Sequence, residues 1–269
     1  MYQIDIDTWE EFQKELEKLS TEYGSRKNAK SRWVSPFLFR GQADHRWKLT
    51  TTLERYKKLD FNLGEYYRII SASKPEIEAF TGLTWEIPGP HDLYQKISAT
   101  TLAVGSLPAY EYMVYLRHHG FPSPLLDWTR SAYIAAYFAF RNEIENSARV
   151  AIYAFWERPT GGKADFLGKP HIIGLGSHTR GHKRHFLQQS EYTICVFQRN
   201  EHWHYSSHEE VFARSNERQD LLWKITLPTT ERLKVLKILD SYNLNASSLF
   251  GSEQELLETL ALRQFHFTD

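Results

Sequence analysis

Four short apolar runs set the tightest limit on what this chain can fold into: "PFLFRG" (36–41), "ARVAIYAFW" (148–156), "YTICVFQ" (192–198) and "DLLWKITLP" (220–228). Each is rich in β-branched and aromatic residues and is shorter than a typical buried helix, so each predicts a strand. "MYQIDID" alternates as a further short strand. Between them lie segments with helical spacing. Asp7 or Thr8 is placed to cap a helix through "WEEFQKELEKLSTEY", followed by a polar, basic loop "GSRKNAKSRW". Residues 50–80 repeat at helical period with Tyr66, Tyr67, Ile69 and Ile70 on or near one face, and Gly and Pro break the pattern in "TGLTWEIPGPHDLYQ". Further helices are predicted over 109–118, from near Ser131, through "TTERLKVLKILDSYN" and through "SEQELLETLALRQF". The pattern predicts an α+β fold: a mixed, mainly antiparallel sheet core with flanking helices, the helices coming first and the strands gathering later.

Composition narrows the class. At 269 residues and 41% hydrophobic content the chain can bury one large core. Lys+Arg and Asp+Glu both number 33, so no global charge argues for a nucleic-acid or anionic-membrane partner. The single Cys195 excludes an internal disulfide framework and fits a reducing compartment. No apolar run approaches the length of a membrane span and the N-terminus lacks the pattern of a secretion signal, which predicts a cytoplasmic protein with no membrane partner.

Three stretches carry chemistry. In the first, Arg40 ends an apolar strand and is followed by Gly41 and Gln42. Arginine is seldom buried without a partner, and its planar fork suits phosphate or carboxylate. A glycine beside it admits a ligand or another backbone. This predicts an anion or nucleotide site, or a structural ion pair, at the strand end. The second is "HGFPSPLLDWTRS": Pro122 and Pro124 stiffen the chain after His119, Asp127 lies among apolar neighbours beside Trp128, and Thr129 and Ser131 stand where a helix begins, to cap it or to meet a phosphate. Asp127 is expected to be buried and to accept hydrogen bonds from backbone N–H groups, Arg40 or His119. In the third, Gln188, Gln189, Ser190 and Glu191 lead into an apolar strand, where a carboxylate must be paired, functional or solvent-facing.

Together these stretches resemble the FRG domain family, named for a Phe-Arg-Gly motif found here as Phe39, Arg40 and Gly41; the likeness spans roughly residues 33–200, with a helical tail over 229–269 of a single domain. The order of the motifs is also similar to ADP-ribosyltransferases of the Arg…Ser-Thr-Ser…(Gln/Glu)-x-Glu type. That resemblance implies an ADP-ribosyltransferase-like sheet, NAD as substrate, and no metal. Glu191 would stabilise the oxocarbenium-like ribose, and Gln189 would orient the acceptor from the same strand face. Arg40, Gly41, Gln42, His119, Thr129 and Ser131 would bind NAD, and Asp127 and Trp128 would order the site. It further implies a macromolecular acceptor, protein or nucleic acid, with a toxin or phage-defence role and a neutralising partner protein.

Other readings come from the residues themselves. His204 and His208, four apart, would share a helix face as zinc ligands do, and "SHTRGHKRHF" holds His178, His182 and His185. His119 with Asp127 would form the base and its orienting group in a metal-independent phosphodiesterase. A nucleotide sensor binding through Arg40 and the "LLDWTRS" turn without turnover is the non-catalytic alternative.

Overall fold

The computed structural model describes residues 1–28, 33–56, 62–89, 92, 107–163, 168–176, 183–200, 202–214 and 218–267. Among these, eight strands form one sheet: β1 (Tyr2–Asp5), β2 (Phe37–Gln42), β3 (Leu125–Thr129), β4 (Arg149–Trp156), β5 (His171–Gly174), β6 (Ser190–Arg199), β7 (His202–Tyr205) and β8 (Leu221–Pro228). Their order is β1-β8-β4-β2-β3-β6-β5, with β7 also paired to β6. Only β1 and β8 run parallel; the other pairings are antiparallel. Early and late strands interleave, so the sheet is not assembled from the later half of the chain alone.

Central β4 is buried from Val150 to Trp156, which is why its sequence is a continuous apolar run rather than an alternating one. On one face it is covered by α1 (Trp9–Asn28), α5 (Ala132–Arg141) and α8 (Arg232–Ser241) through Trp9, Phe12, Ala135, Ala139, Val235 and Leu239. Further along the sheet, Ile194 and Val196 of β6 pack against Tyr66, Tyr67 and Ile70 of α3 (Leu63–Thr81) and Met113 and Leu116 of α4 (Tyr110–His118). The opposite face carries Leu38, Trp128, Phe155 and Cys195 against Phe212 of α7 (His208–Arg214).

Gly41 decides how closely α5 lies on the sheet. A Cβ there would sit 1.9 Å from the Ala135 carbonyl oxygen and 2.6 Å from the Ala139 nitrogen. The glycine of the strand-end motif therefore admits a helix backbone. The small residues of "SAYIAAYFAF" are the other half of that fit.

Local chemistry explains the boundaries, including those that differ from expectation. Thr8 caps α1 by accepting from the Glu11 N–H, and the helix continues through "GSRKN" because nothing there breaks it. Asn62 and Glu65 form a reciprocal capping box on α3, and Gly82 ends that helix in the left-handed region. Ile69 is exposed; the buried stripe of α3 runs through Tyr66, Tyr67 and Ile70. "LLDWT" is strand β3 rather than a turn, paired along all five residues with β6, and the helix cap falls to Ser131, which accepts from the Ile134 N–H. His204 lies on β7 and His208 opens α7, so the two share no helix face.

Candidate functional site

Strands β2 and β3 are neighbours but share a single Cα pair, Phe39 with Thr129. Beyond it β2 stays with β4 and β3 stays with β6, so the two strands splay apart. A cavity of about 710 Å³ opens there, within the size range of small-molecule sites. β2 contributes Arg40, Gly41 and Gln42 to its wall, β3 contributes Asp127, Trp128 and Thr129, and β6 contributes Ser190 and Tyr192. Arg117 and His118 enter from α4, Arg55 from α2 (Thr52–Tyr56), Arg184 from α6 (Lys183–Leu187) and Phe250 from the end of α9 (Ala246–Phe250).

Arg40 donates from Nη1 to the Asp127 carbonyl oxygen at 2.7 Å. Its Nε is buried and has no hydrogen-bond partner among the described residues, and it makes no ion pair there. Burial lowers its pKa from the ordinary value; the nearby Asp127 acts in the opposite direction. The Asp127 carboxylate is engaged elsewhere: Arg117 grips it with Nε at 3.1 Å and Nη2 at 2.5 Å. That is the bidentate geometry in which guanidinium and carboxylate bind best. Asp127 is thus half-buried, and its partner is Arg117 rather than a backbone N–H or His119. Strand alternation accounts for this, because it turns the Asp127 side chain to the face that α4 covers.

Five cationic side chains, Arg40, Lys48, Arg55, Arg117 and Arg184, line the cavity against one carboxylate, Asp127. Tyr192 stands between two imidazoles, its hydroxyl 2.7 Å from Nε2 of His118 and 3.3 Å from Nδ1 of His185. Burial pushes its pKa well above the ordinary phenol value, so it stays protonated. Phe250 is flanked by two guanidinium groups, Arg141 at 4.3 Å and Arg184 at 5.5 Å from the ring centre.

Of the residues singled out in the sequence, Arg40, Gly41, Gln42, Asp127, Trp128 and Thr129 come together on this cavity. Ser190 and Tyr192 face it, and Glu191 between them takes the other side of β6, buried and ion-paired with Arg130 (Nε to Oε1 2.5 Å). Gln189 precedes the strand at φ 47°, exposed, with its carbonyl accepting from the Arg130 N–H. It therefore does not continue the alternation that would put it on the face of Glu191. Thr129 donates to the Gln188 carbonyl and accepts from the Ser131 N–H, tying the end of β3 to the start of β6. Trp128 donates to the Thr193 hydroxyl, which lies 2.9 Å from Nε2 of His208. His119 packs at a tilt against the Tyr115 ring and lines a separate groove with Leu53, Tyr56 and Phe121. Neighbouring His118 is the histidine at the cavity. Among the described residues no three His, Cys, Asp or Glu side chains gather as a metal-binding group; His178 and His182 lie outside them.

The arrangement is that of an α+β sheet protein with a cationic, aromatic-walled cleft at a strand splay. Residues 35–148 match the profile of the FRG domain family. No curated protein and no solved structure matches the chain. The matched stretch holds Arg40, Arg117 and Asp127, whereas Arg184, Tyr192 and Phe250 lie beyond it. Among the described residues no helix is long and apolar enough to cross a membrane.

Proposed function

We propose that the cleft binds a nucleotide through its phosphates, with NAD as the ligand and ADP-ribosyl transfer as the reaction. The observation that carries the binding half is Arg40: a half-buried guanidinium at the cavity wall whose Nε is shut off from water and unpartnered among the described residues, using one donor on a carbonyl, beside a carboxylate already committed to Arg117. A buried charge without a counter-ion is costly, and an anionic ligand removes that cost. A pyrophosphate supplies the charge, and the aromatic walls suit the rings of a dinucleotide.

In the transfer step the C1′–N bond of NAD breaks, nicotinamide leaves with the electron pair, and the acceptor bonds to C1′ after losing its proton. The developing oxocarbenium character needs an anion nearby. Two carboxylates compete for that role. Glu191 follows the ADP-ribosyltransferase order of motifs but is ion-paired behind the wall; Asp127 lines the cavity and is itself gripped by Arg117. The ion pairing of Glu191 also favours the second reading, a sensor that binds the nucleotide without cleaving it.

Calorimetric titration with NAD, together with chromatographic detection of nicotinamide, tests both halves. Arg40→Ala is expected to weaken NAD binding by about 10- to 100-fold, the scale of a charge-assisted hydrogen bond. Nicotinamide release that falls in Glu191→Gln or in Asp127→Asn, with binding retained, identifies the stabilising carboxylate. Binding without release in any lysate leaves the sensor, and wild-type protein that binds no nucleotide ends the proposal.

A further inference from the structure

The mouth of the cavity differs from its floor. Trp47 and Lys48, on the loop after β2, and Arg55, at the end of α2, line the cavity and are exposed, Trp47 by 47%. Neither Lys48 nor Arg55 has an ion pair among the described residues. Many basic side chains elsewhere are neutralised, as in Arg46–Asp44, Arg130–Glu191, Arg141–Glu258 and Arg263–Asp240. In a chain of zero formal charge, unpaired cations at a cleft mouth make a local positive rim.

The rim loop is held in place. The Gln42 amide donates to the Lys48 carbonyl, the Leu49 N–H to Glu209, the Thr51 N–H to Glu54, and the Arg46 N–H to Asp44. The carboxylates near the rim are therefore spent on its backbone and on Arg46, so its exposed indole and cations are presented on a fixed frame, which lowers the ordering cost of binding.

We infer that this rim docks a single nucleic-acid strand, with Trp47 stacking on an unpaired base and Lys48 and Arg55 on flanking phosphates, and that the acceptor in the proposed transfer is such a strand. An exposed aromatic ring flanked by cations is the chemistry by which single strands are held, because every base has a face to stack and every linkage a charge. A duplex keeps its bases stacked and offers the indole nothing. The acceptor half of the inference rests on the NAD reading; the docking half does not.

The test is fluorescence anisotropy with short fluorescein-labelled mixed-sequence DNA and RNA strands, and the same sequence as duplex, between about 50 and 200 mM salt. Expected are binding of single strands over duplex, a loss of about tenfold in Trp47→Ala, the scale of one stacked base, and a salt slope shallower by about 1.4 in Lys48→Gln/Arg55→Gln, for two lost phosphate contacts. Melting curves check that these exposed substitutions leave the fold intact. No binding at the lowest salt, equal binding of duplex, or variants that bind as the wild type does would overturn docking. Strand binding without NAD binding leaves docking standing and removes the NAD reading. Label transferred from NAD to protein but never to a strand removes the acceptor assignment.

Discussion

Gly41→Ala adds one methyl group at the tightest contact between sheet and helix. The new Cβ would stand 1.9 Å from the Ala135 oxygen, 2.9 Å from the Ala135 carbon and 2.6 Å from the Ala139 nitrogen, all backbone atoms of α5. Ordinary contact begins near 3.4 Å, so α5 must back away from β2 by roughly 1.5 Å, since no flexible side chain is there to yield. That movement loosens the packing of Ala135 and Ala139, both fully buried, and loses dispersion contacts along the interface. Overpacking ordinarily costs about 1–3 kcal/mol, and a clash with main chain belongs at the top of that range or above it. At about 2–4 °C per kcal/mol for a chain of this size, Tm should fall by about 6–12 °C. Gly24→Ala is the matched control: it lies inside α1, and nothing comes within 4 Å of its added Cβ. There the same substitution should stabilise by about 0.4–1 kcal/mol by restricting the unfolded chain. Thermal melts and urea titrations of both variants give the two signs. A Gly41→Ala protein melting within about 2 °C of wild type would mean that the glycine is not what seats α5, and the packing argument would fail.

Two further outcomes follow from buried ionisable groups. His208 is fully buried, with its pKa pushed down to about 3 mainly by burial, so it is neutral in the fold but titrates near 6.5 when unfolded; its contribution is present above pH 6.5 and lost as pH falls towards 3, amounting to about 2 kcal/mol by pH 5. In urea titrations His208→Gln should show a smaller drop between pH 7.5 and 5 than wild type, and parallel drops would refute the assignment. Arg130→Ala should cost more than Glu191→Gln, roughly 1–3 kcal/mol against less than about 1, because the first removes the cation that faces a buried carboxylate and the second removes the charge itself; equal Tm losses would contradict this.

The sequence carried five of the eight described strands, β1, β2, β4, β6 and β8, the starts of the longer helices and the place of Arg40 at a strand end, because each depends on short-range pattern. Arg40 at the end of an apolar run announced itself by being out of place, and Ser131 by its standing before a helix. What escaped was set by register and by distant partners. Whether Glu191 or its neighbours faces the cleft depends on where β6 begins, and a left-handed residue at Gln189 resets that parity. "LLDWT" is too short to show a period and follows a Pro-stiffened loop, so its strand nature emerges only from pairing with β6. His118 and His119 are adjacent, and only the packing of α4 puts the former at the cavity. The parts supplied by Arg184 and Phe250 are remote in sequence from Arg40, and no local pattern links them.

The one parallel pairing sets an order of events for making this protein. Tyr2 lies beside Trp223 and Asp5 beside Thr226, so β1 has no partner among the described strands until β8 has been synthesised. Closing so large a loop is slow relative to local pairing. The hairpin-like antiparallel contacts inside the sheet can form while β1 is still waiting, with the Trp9 and Phe12 face of α1 beside it uncovered. β1 is made early and locked into the sheet late, so this strand and the helix face beside it need protection from other chains in the meantime.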